Sequence, residues 1–445
     1  MEQTITAKLK LLTSPEQFQA LRTLQLAYRD GLNYVSRYAF EHGKMSHKVR
    51  LQEGTYDALR VLYNIPSQMA CSIPRQVGAT YKGLWTKVKK NAEHRRKGMT
   101  KKRYKGLDKP PTYVAPTLIY QQGKDYTFKN ENRVSLLTLS GRVVVPYQGY
   151  EKHVALIQHG AHIGTAHLSF DGPKKRFYLV VALTIEVPDP VPTDHQQVVG
   201  VDVGRRYLAV TSGSTGQTSF ASGKQIVPKA DHYARLRKRL QQKGTRGATR
   251  RLRAIEQRER RLKADANHTV SKHLIELHEH ALIGLEELTD IRERTRPKKR
   301  QRKKRGKGTE PVSPKQRKAN RRRTQWSFAE LHAMIAYKAA RSGSMAIKVD
   351  ADYTSQACPK CGHTEQANRP GKGLVFVCQN CHYALHADLI GARNVQMRTL
   401  LVRQDWARTG HLSMAPDPSA RFAKAARLSR YAELRWSPGG TSPEL

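Results

Sequence analysis

YTSQACPKCGHTEQANRPGKGLVFVCQNCHYALHADLIGARNV, residues 353–395, holds four of the chain's five cysteines: Cys358 and Cys361, then Cys378 and Cys381. Sixteen residues separate Cys361 from Cys378. Two CxxC pairs at this spacing match a four-thiolate zinc ribbon, because each pair offers two sulfurs from one tight turn and four sulfurs close a tetrahedral shell. Gly362 gives the first turn its backbone freedom. A closed shell has no open position, so the spacing predicts a structural zinc ion. His363 and His382 neighbour the ligands and are the alternative donors, although four sulfurs suffice. Seven residues after Cys381 stands Asp388, at the head of a helical pattern that runs to about Leu401. An aspartate there has one ordinary reading, as a helix N-cap, and one functional reading, as a metal ligand.

The 445 residues exceed one ordinary domain and suffice for two or three, each with its own core. Lys and Arg total 80 against 36 Asp and Glu, a formal charge of +44 with an isoelectric point near 10.3. That much like charge opposes the compact state unless a polyanion neutralises it. Nucleic acid is the partner the charge points to, through phosphate contacts and counterion release. A membrane surface is the other polyanion, but no long basic helix with an aromatic face argues for it. The N-terminal MEQTITAKLKLL lacks an apolar core of signal-peptide length, and the longest apolar run, 177–187, is interrupted by Thr184 and Glu186 and is too short to span a bilayer. The expectation is a cytoplasmic protein without membrane contact, in a reducing compartment where paired CxxC motifs mean metal rather than disulfides.

In chain order, 4–11 alternates as a strand, and Ser14-Pro15-Glu16 reads as a helix start. Further helices are expected over 54–63 and 74–90, and a dense basic cluster with Tyr104 inside it covers 87–107. Residues 13–110 therefore read as a helical domain with a basic rim, in which Cys71 is a small buried hydrophobe. From Pro110 the period changes. Strands are expected at 126–128, 134–139, 142–145, 154–158, 163–170 and 176–186, separated by Gly turns, a pattern of barrels and sandwiches. The first strand fits the same barrel, with the helices inserted after it. VPDPVPTD (187–194) is a stiff linker. Beyond it, 198–203 is an apolar strand interrupted only by Asp202, with a hairpin partner at 207–212. Residues 226–262 are helical and heavily basic, broken near Gly244 and Gly247, and 281–288 is an apolar strand ending in Glu286 and Glu287. Residues 292–323 form a low-complexity basic segment that nucleic acid would order. A helix at 326–341 and a strand at 345–349 precede the cysteines, and the tail beyond about 404 shows no core role.

Asp202 lies inside an apolar strand, Glu286 closes another, and Asp388 opens a helix. An ionised carboxylate among apolar residues is costly unless a cation or hydrogen bonds compensate it. A central strand offers no cap, so for Asp202 the ordinary reading is weak. Three such acids in a basic protein suggest hard oxygen ligands for Mg²⁺, with two ions about 3.5–4 Å apart acting on a phosphodiester.

Strand-Asp-hairpin, strand-Glu and helix-Asp is the order of RNase-H-like nucleases, and here the motifs become specific. VGVDVGRRYLAV, IGLEEL and YTSQACPKCG…CQNCHYALHADLIGARNV, with TITAKLKLLTSPEQ, the Asn33-Tyr34-Val35-Ser36 tetrapeptide and WSFAELHAMIAYKAA, resemble the TnpB family of insertion-sequence-encoded RNA-guided nucleases and their relatives, the small type V CRISPR effectors. The match is dense from 196 to 396 and loose from 40 to 195. The resemblance implies an α/β multidomain protein. Residues 1–12 and 111–194 would form a wedge β-barrel with a helical recognition lobe, 13–110, inserted. Residues 195–352 would form an RNase-H-like RuvC nuclease domain, with basic segments 226–263 and 292–323. A four-cysteine zinc ribbon (353–384) that binds target nucleic acid would be inserted before the last RuvC helix (385–403), and 404–445 would be a flexible tail. The family's catalytic and magnesium-binding acids map onto Asp202, Glu286 and Asp388, with Glu287 the neighbouring alternative that the Glu-acid-Leu pattern disfavours. Arg393 and Asn394 fall in the third motif, near the phosphate or behind the metal ligands. Nucleic-acid contacts are expected from Arg235, Arg237, Lys238, Arg250, Arg251, Lys299, Arg300, Lys303, Lys304, Arg321, Arg322 and Arg323.

The implied cofactors are one structural Zn²⁺, two Mg²⁺ and a guide RNA. The implied partners are that RNA and double-stranded target DNA, with one protein per RNA. The implied activity is cleavage of DNA beside a short adjacent motif. There are two departures: the 292–323 segment is unusually long, and Ile390-Gly391 stands where the family more often has Asn-Ala. Three rival readings stay open: a nuclease-independent RNA-guided repressor, a DNA transposase, and a structural RNA-binding zinc protein.

Overall fold

Side chains alternate strictly along the first strand: Ile5, Ala7, Leu9 and Leu11 are buried while Thr4, Thr6 and Lys8 face outward. The computed structural model describes residues 2–288 except 116, 173, 188–190 and 192–196, and then 300–302, 309–314, 316–317, 320, 326–370, 374–412 and 421–437. It divides into two units, Met1–Val187 and Pro188–Leu445. Among the described residues no helix is long and apolar enough to cross a membrane.

In the first unit, β1 (Glu2–Leu11) is followed by α1 (Pro15–Glu41), α2 (Lys48–Leu62) and α3 (Ser67–Arg96) before the chain returns to the sheet. The start of α1 is a full capping box: the Gln17 N–H donates to Ser14 Oγ and the Ser14 N–H donates to Gln17 Oε1, at 3.2 and 3.1 Å. Such caps contribute about 1 kcal/mol. The strands are β2 (Leu118–Tyr120), β3 (Tyr126–Lys129), β4 (Arg133–Thr138), β5 (Gly141–Gln148), β6 (His162–Asp171) and β7 (Arg176–Glu186), in the order β2-β6-β7-β1-β5-β4-β3. The two edges curl toward each other into a nearly closed barrel-like sheet. The Tyr120 hydroxyl donates to the Leu137 carbonyl at 2.9 Å, and the Tyr126 hydroxyl to the Gly164 carbonyl at 2.6 Å, so each edge strand reaches a strand beyond its partner.

Two expectations fail in this unit. Residues 154–158 belong to a helix, α4 (Glu151–Gln158), not a strand. Val154 and Ile157 are three apart, a helical spacing that a short apolar run cannot distinguish from a strand. Pro74 does not start a helix but lies inside α3, which begins at Ser67. Burial of Met69, Ile73, Val77 and Tyr81 along one face carries the helix through the lost N–H. The basic stretch after α3 folds back on it, with Asn91 accepting from the Tyr104 N–H and donating to the Lys102 carbonyl.

The second unit is built on β8 (Gln197–Asp202), β9 (Tyr207–Gly213), β10 (Thr218–Ser222), β11 (Ala281–Glu286) and β14 (Met345–Val349). Their order is β10-β9-β8-β11-β14, with β8, β11 and β14 parallel and the β8–β9–β10 meander antiparallel. The basic helical region is α5 (Ile226–Lys243), α6 (Arg246–Ile255) and α7 (Arg258–Leu277); it breaks at Gly244 as expected, but Gly247 lies inside α6 and the second break falls at Glu256 and Gln257. α7 and α8 (Phe328–Arg341) cover one sheet face around Val199, Val201, Ile283, Leu285, Leu331 and Ile335. α9 (Ala387–Thr409) covers the other, where Val395 and Leu400 meet Val198, Leu282 and Val349. In the basic 292–323 segment, β12 (Arg300–Arg302) pairs with β13 (Thr309–Pro311). Lys299, Lys303, Lys304, Arg321, Arg322 and Arg323 lie outside the described residues.

Two glycines let α9 lie directly on the sheet. Gly200 and Gly284 are register partners on β8 and β11. A Cβ at Gly200 would fall 2.1 Å from the Ala392 carbonyl and 2.2 Å from the Gln396 nitrogen. One at Gly284 would fall 1.8 Å from Thr399 Oγ1. At Gly200 the obstacle is backbone; at Gly284 it is the buried Thr399 side chain, whose Cβ is also 3.0 Å away, so relief there costs the bond from its hydroxyl to the Val395 carbonyl and a smaller shift of the helix. Gly200→Ala is therefore expected to destabilise by about 3 kcal/mol or more, and Gly284→Ala by about half of that, read from urea unfolding. Equal, small effects would mean that α9 does not seat on the sheet this closely.

Two histidines make this unit acid-sensitive. Burial, helped by nearby His273, holds His278 down to about 4. Burial does the same to His332, with Lys348 adding to it. Each binds its proton more weakly when folded than unfolded, so folding stability is intact above the unfolded value of about 6.5 and is lost as pH falls toward 4. Between pH 6.5 and 5 the expected loss is about 2 kcal/mol per histidine. His332→Gln should lessen the fall in melting temperature across that range, and an unchanged slope would show that other groups cause it.

Candidate active site and metal centre

The cysteines occupy two matching turns. In the first, the Gly362 N–H donates to the Cys358 carbonyl and the Cys358 N–H to the His363 carbonyl. In the second, His382 donates to Cys378 and Cys378 to Tyr383. Gly362 has φ +76° and His382 φ +55°, so the same left-handed position closes both turns. The second turn sits in the hairpin of β15 (Val375–Val377) and β16 (Ala384–His386). All four Sγ atoms lie within 4.8 Å of one another, with Cys358–Cys381 at 3.6 Å and Cys361–Cys378 at 3.5 Å. A tetrahedral ion with metal–sulfur bonds of about 2.3 Å needs sulfurs about 3.8 Å apart, so the donor set fits zinc. On their own the thiols divide: burial raises Cys358 and Cys381, whereas at Cys361 burial is outweighed by the His363 N–H and neighbouring groups, which lower it, so it is the geometry of the sulfurs that fits a metal. The alternative donors stand aside: His363 pairs with Glu365 at 3.3 Å, and His382 is exposed. Among the described residues this quartet is the one group of three or more His, Cys, Asp or Glu with donor atoms gathered so closely.

The carboxylates converge from three elements. Asp202 and Glu286 end the adjacent parallel strands β8 and β11, and Asp388 lies in the first turn of α9. Asp388 is not the N-cap: His386 is, its Nδ1 accepting from the Asp388 N–H at 3.3 Å. The capping explanation for this acid is thereby removed. Desolvation pushes the Asp202 carboxyl well above its usual range, and the neighbouring Glu286 and Asp388 carboxylates push the same way, with Arg369 opposing. Desolvation also raises Glu286, opposed by the Thr354 hydroxyl, which donates to Glu286 Oε1 at 2.7 Å, and by Arg398. Gly391 faces Asp202, where a Cβ would lie 3.0 Å from the Asp202 Cγ. The departure from Asn-Ala thus makes room at this acid. Glu287 turns elsewhere and pairs with Lys348 at 3.2 Å.

Asn394 works from behind. Its side-chain amide donates to the Thr354 and Ala357 carbonyls at 2.7 and 2.9 Å, fixing the residue that holds Glu286. Arg393 is not placed near the carboxylates. Its guanidinium stacks 3.4 Å over the Trp436 ring and donates to the Tyr383 hydroxyl. Five residues beyond Asp388, it projects about 140° around the helix. The tail is also not free: α10 (Arg421–Glu433) packs against α9 through Tyr431, Leu434 and Trp436 on Met397 and Leu401. Arg427 pairs with Asp350, and Arg430 with Asp405. Aromatic residues separated by polar ones hid this amphipathic role. Of the basic positions, Arg235, Lys238, Arg250 and Arg251 lie exposed on α5 and α6, and Arg237 pairs with Glu259. Thr354 and Arg369 carried no sequence signal, since neither belongs to a spaced motif.

An α/β protein with a four-cysteine knuckle and carboxylates at the ends of adjacent parallel strands is the class this geometry defines. The family model described as "Probable transposase" matches residues 181–292, and that described as "Cas12f1-like, TNB domain" matches 328–395. The CRISPR-associated endodeoxyribonuclease Cas12f1 of Sulfoacidibacillus thermotolerans is 26% identical over 251 residues, 52% of this chain and 53% of that protein. The putative RNA-guided DNA endonuclease InsQ of Escherichia coli (strain K12) is 25% identical over 282 residues, 62% of this chain and 66% of that protein. The solved structure of the mini-RNA-guided endonuclease CRISPR-Cas_phi3 superposes with a TM-score of 0.47 at 11% identity, covering 93% of this chain and 94% of that one. The matched stretch spans about half to two thirds of the length of these curated relatives. The similarity is therefore to a probable transposase family over 181–292 and to the Cas12f1-like TNB domain over 328–395, two separate stretches that fall, apart from 181–187, in the second unit.

Proposed function

We propose that the protein is an RNA-guided DNA endonuclease whose RuvC-type centre is Asp202, Glu286 and Asp388. The observation that carries this is that β8 and β11 end side by side in Asp202 and Glu286, and that α9, whose first turn holds Asp388, lies against Asp202 at Gly391. The matched relatives' names, an endodeoxyribonuclease and a putative RNA-guided DNA endonuclease, support the same reading. So does the order of β10-β9-β8-β11-β14 with α9 against it, which suits an RNase-H-like domain. Repelling carboxylates beside phosphate suit a hard cation, so these residues would hold Mg²⁺, two ions in the RuvC reading. Magnesium, when bound, supplies an activated water and neutralises charge on the phosphate.

The chain's own residues prepare this spot. The Val203 N–H steadies Asp202, and Thr354, held by Asn394, fixes one oxygen of Glu286 and leaves the other for a cation. The first turn of α9 adds the positive end of a helix dipole near Asp388. Hydrolysis joins the water oxygen to phosphorus and breaks the bond to the leaving sugar oxygen, which takes a proton and departs as a hydroxyl. The quartet would carry zinc and keep Thr354 and Arg369 in place, a structural role. Guide RNA and target DNA are the proposed partners of the basic faces, with one protein per RNA. Copurified RNA, a matching DNA and Mg²⁺ test this directly: guide-dependent product is expected, and its absence with every RNA bound by the protein overturns the reading.

A further inference from the structure

We propose that Tyr207, Phe220 and His386 form a stacking platform for a base of the single strand being cut; this deepens the nuclease reading and rests on it. The three rings come from β9, β10 and the N-cap of α9. They meet edge to face, with centroids 5.0 Å apart for Tyr207–Phe220, 5.3 Å for Tyr207–His386 and 5.4 Å for Phe220–His386. An aromatic trio alone is an ordinary surface cluster. Exposure, register and charge set this one apart.

Phe220 is 40% exposed. It stands on β10, the edge strand. Across the sheet it is paired with Val210, and Val210 is paired with Asp202. Directly opposed residues in neighbouring strands point to the same face. Val210 packs on Leu389 and Ala392 of α9, so the shared face is that of the carboxylates. Two strand steps of about 4.8 Å put Phe220 about 10 Å from Asp202. That is about three nucleotides at the stacked rise of about 3.4 Å, and fewer if the strand is extended. His386 ties the platform to the centre a second way, because it caps the helix that carries Asp388.

Charge supports an anionic strand. Arg206 and Lys224 are exposed on the turn beside the platform, where the Gly223 N–H donates to the Arg206 carbonyl. Flat rings with cations alongside are how sequence-tolerant single-strand binding is built, because every base has a face to stack and every phosphate a charge. The platform would hold one base near the scissile phosphate and align that phosphate over the acids.

The test uses full-length protein with its copurified RNA and an Asp388→Asn background, so that no probe is cut. Single-stranded oligodeoxynucleotides carry 2-aminopurine at successive positions. One position is expected to be quenched on binding. Phe220→Ala should abolish that quenching and weaken binding of that probe by about 5- to 150-fold, while Phe220→Trp keeps both. In protein with Asp388 intact, Phe220→Ala should raise KM for single-stranded DNA more than it lowers kcat. Melting curves of each variant exclude unfolding, and Phe220→Leu serves if the alanine variant melts early. No quenched position in the parent, or equal quenching in Phe220→Ala, overturns the platform even if DNA is cleaved. Phe220-dependent quenching in a protein that never cleaves overturns the nuclease reading and leaves the platform standing.

Discussion

Asp202→Asn is expected to abolish DNA cleavage while making the metal-free protein more heat-stable. The two signs come from one cause. In the native fold Asp202 lies between desolvating neighbours and two more carboxylates. Its folded proton affinity is raised above the unfolded value. The associated stability is therefore complete below the unfolded pKa of about 3.9 and is lost as pH rises through the folded value. At pH 8 in EDTA, where the unfolded carboxyl is ionised, this raised proton affinity opposes folding, and asparagine, nearly the same shape and neutral, removes that opposition. A melting temperature several degrees higher is expected.

In magnesium the order reverses. Wild type should gain stability by mass action on a cation it holds, and the variant should gain little. Cleavage should fall by at least about 10³-fold, or about 4 kcal/mol of barrier, because the lost oxygen served the transition state. Two measurements decide it: melting curves with EDTA or magnesium, and single-turnover cleavage. A variant that cleaves at the wild-type rate, or that melts earlier in EDTA, would show that this cluster is not a cation site. Thr354→Val should act in the same direction on cleavage and more weakly, since it frees Glu286 without removing a ligand.

Replacing Cys358 and Cys378 together with alanine should remove zinc and unfold the whole of 353–385. Each turn loses one of its two sulfurs, so neither can hold the ion alone. Metal-coupled folding in small zinc modules is worth about 10–16 kcal/mol at neutral pH, far more than the tiny core of Phe376, Ala387 and Ile390 that otherwise supports this knuckle. Elemental analysis should give about one zinc per wild-type chain and none in the variant. Trypsin should cut the variant after Lys360 and Lys372 first. The loss reaches the acids, because Thr354, Arg369 and the carbonyls held by Asn394 belong to the same segment. A zinc-free variant that resists trypsin as the parent does would refute the metal centre.

Much of this was legible in the residues, and the legible part has a common character. The CxxC spacing, the cap at Ser14, the alternation of β1 and the break at Gly244 are written within a few residues of the feature they specify. The candidate acids could also be named, because a carboxylate inside or ending an apolar strand is anomalous wherever the strand goes. The misreadings are of the opposite kind. Val154 to Gln158 has too few apolar positions to set a period, and Pro74 obeys packing on a face that the local rule does not see. The tail's partners on α9 lie well upstream in the chain.

The sequence by itself determined which side chains could bind metal, and that they would be held by strand ends, a helix start and two tight turns. The motif pattern favours Glu286 over Glu287, but only the tertiary structure set Glu286 beside Asp202 and turned Glu287 to Lys348, since that depends on the register of β11 between β8 and β14. It also decided that Asp388 is not a cap, that Arg393 belongs to Trp436, and that Gly200, Gly284 and Gly391 are spaces for α9 and Asp202. The physical reason is range. Turns and caps are set by hydrogen bonds between near neighbours, whereas mutual repulsion of three carboxylates exists only once β8, β11 and α9, far apart in the chain, are packed against one another.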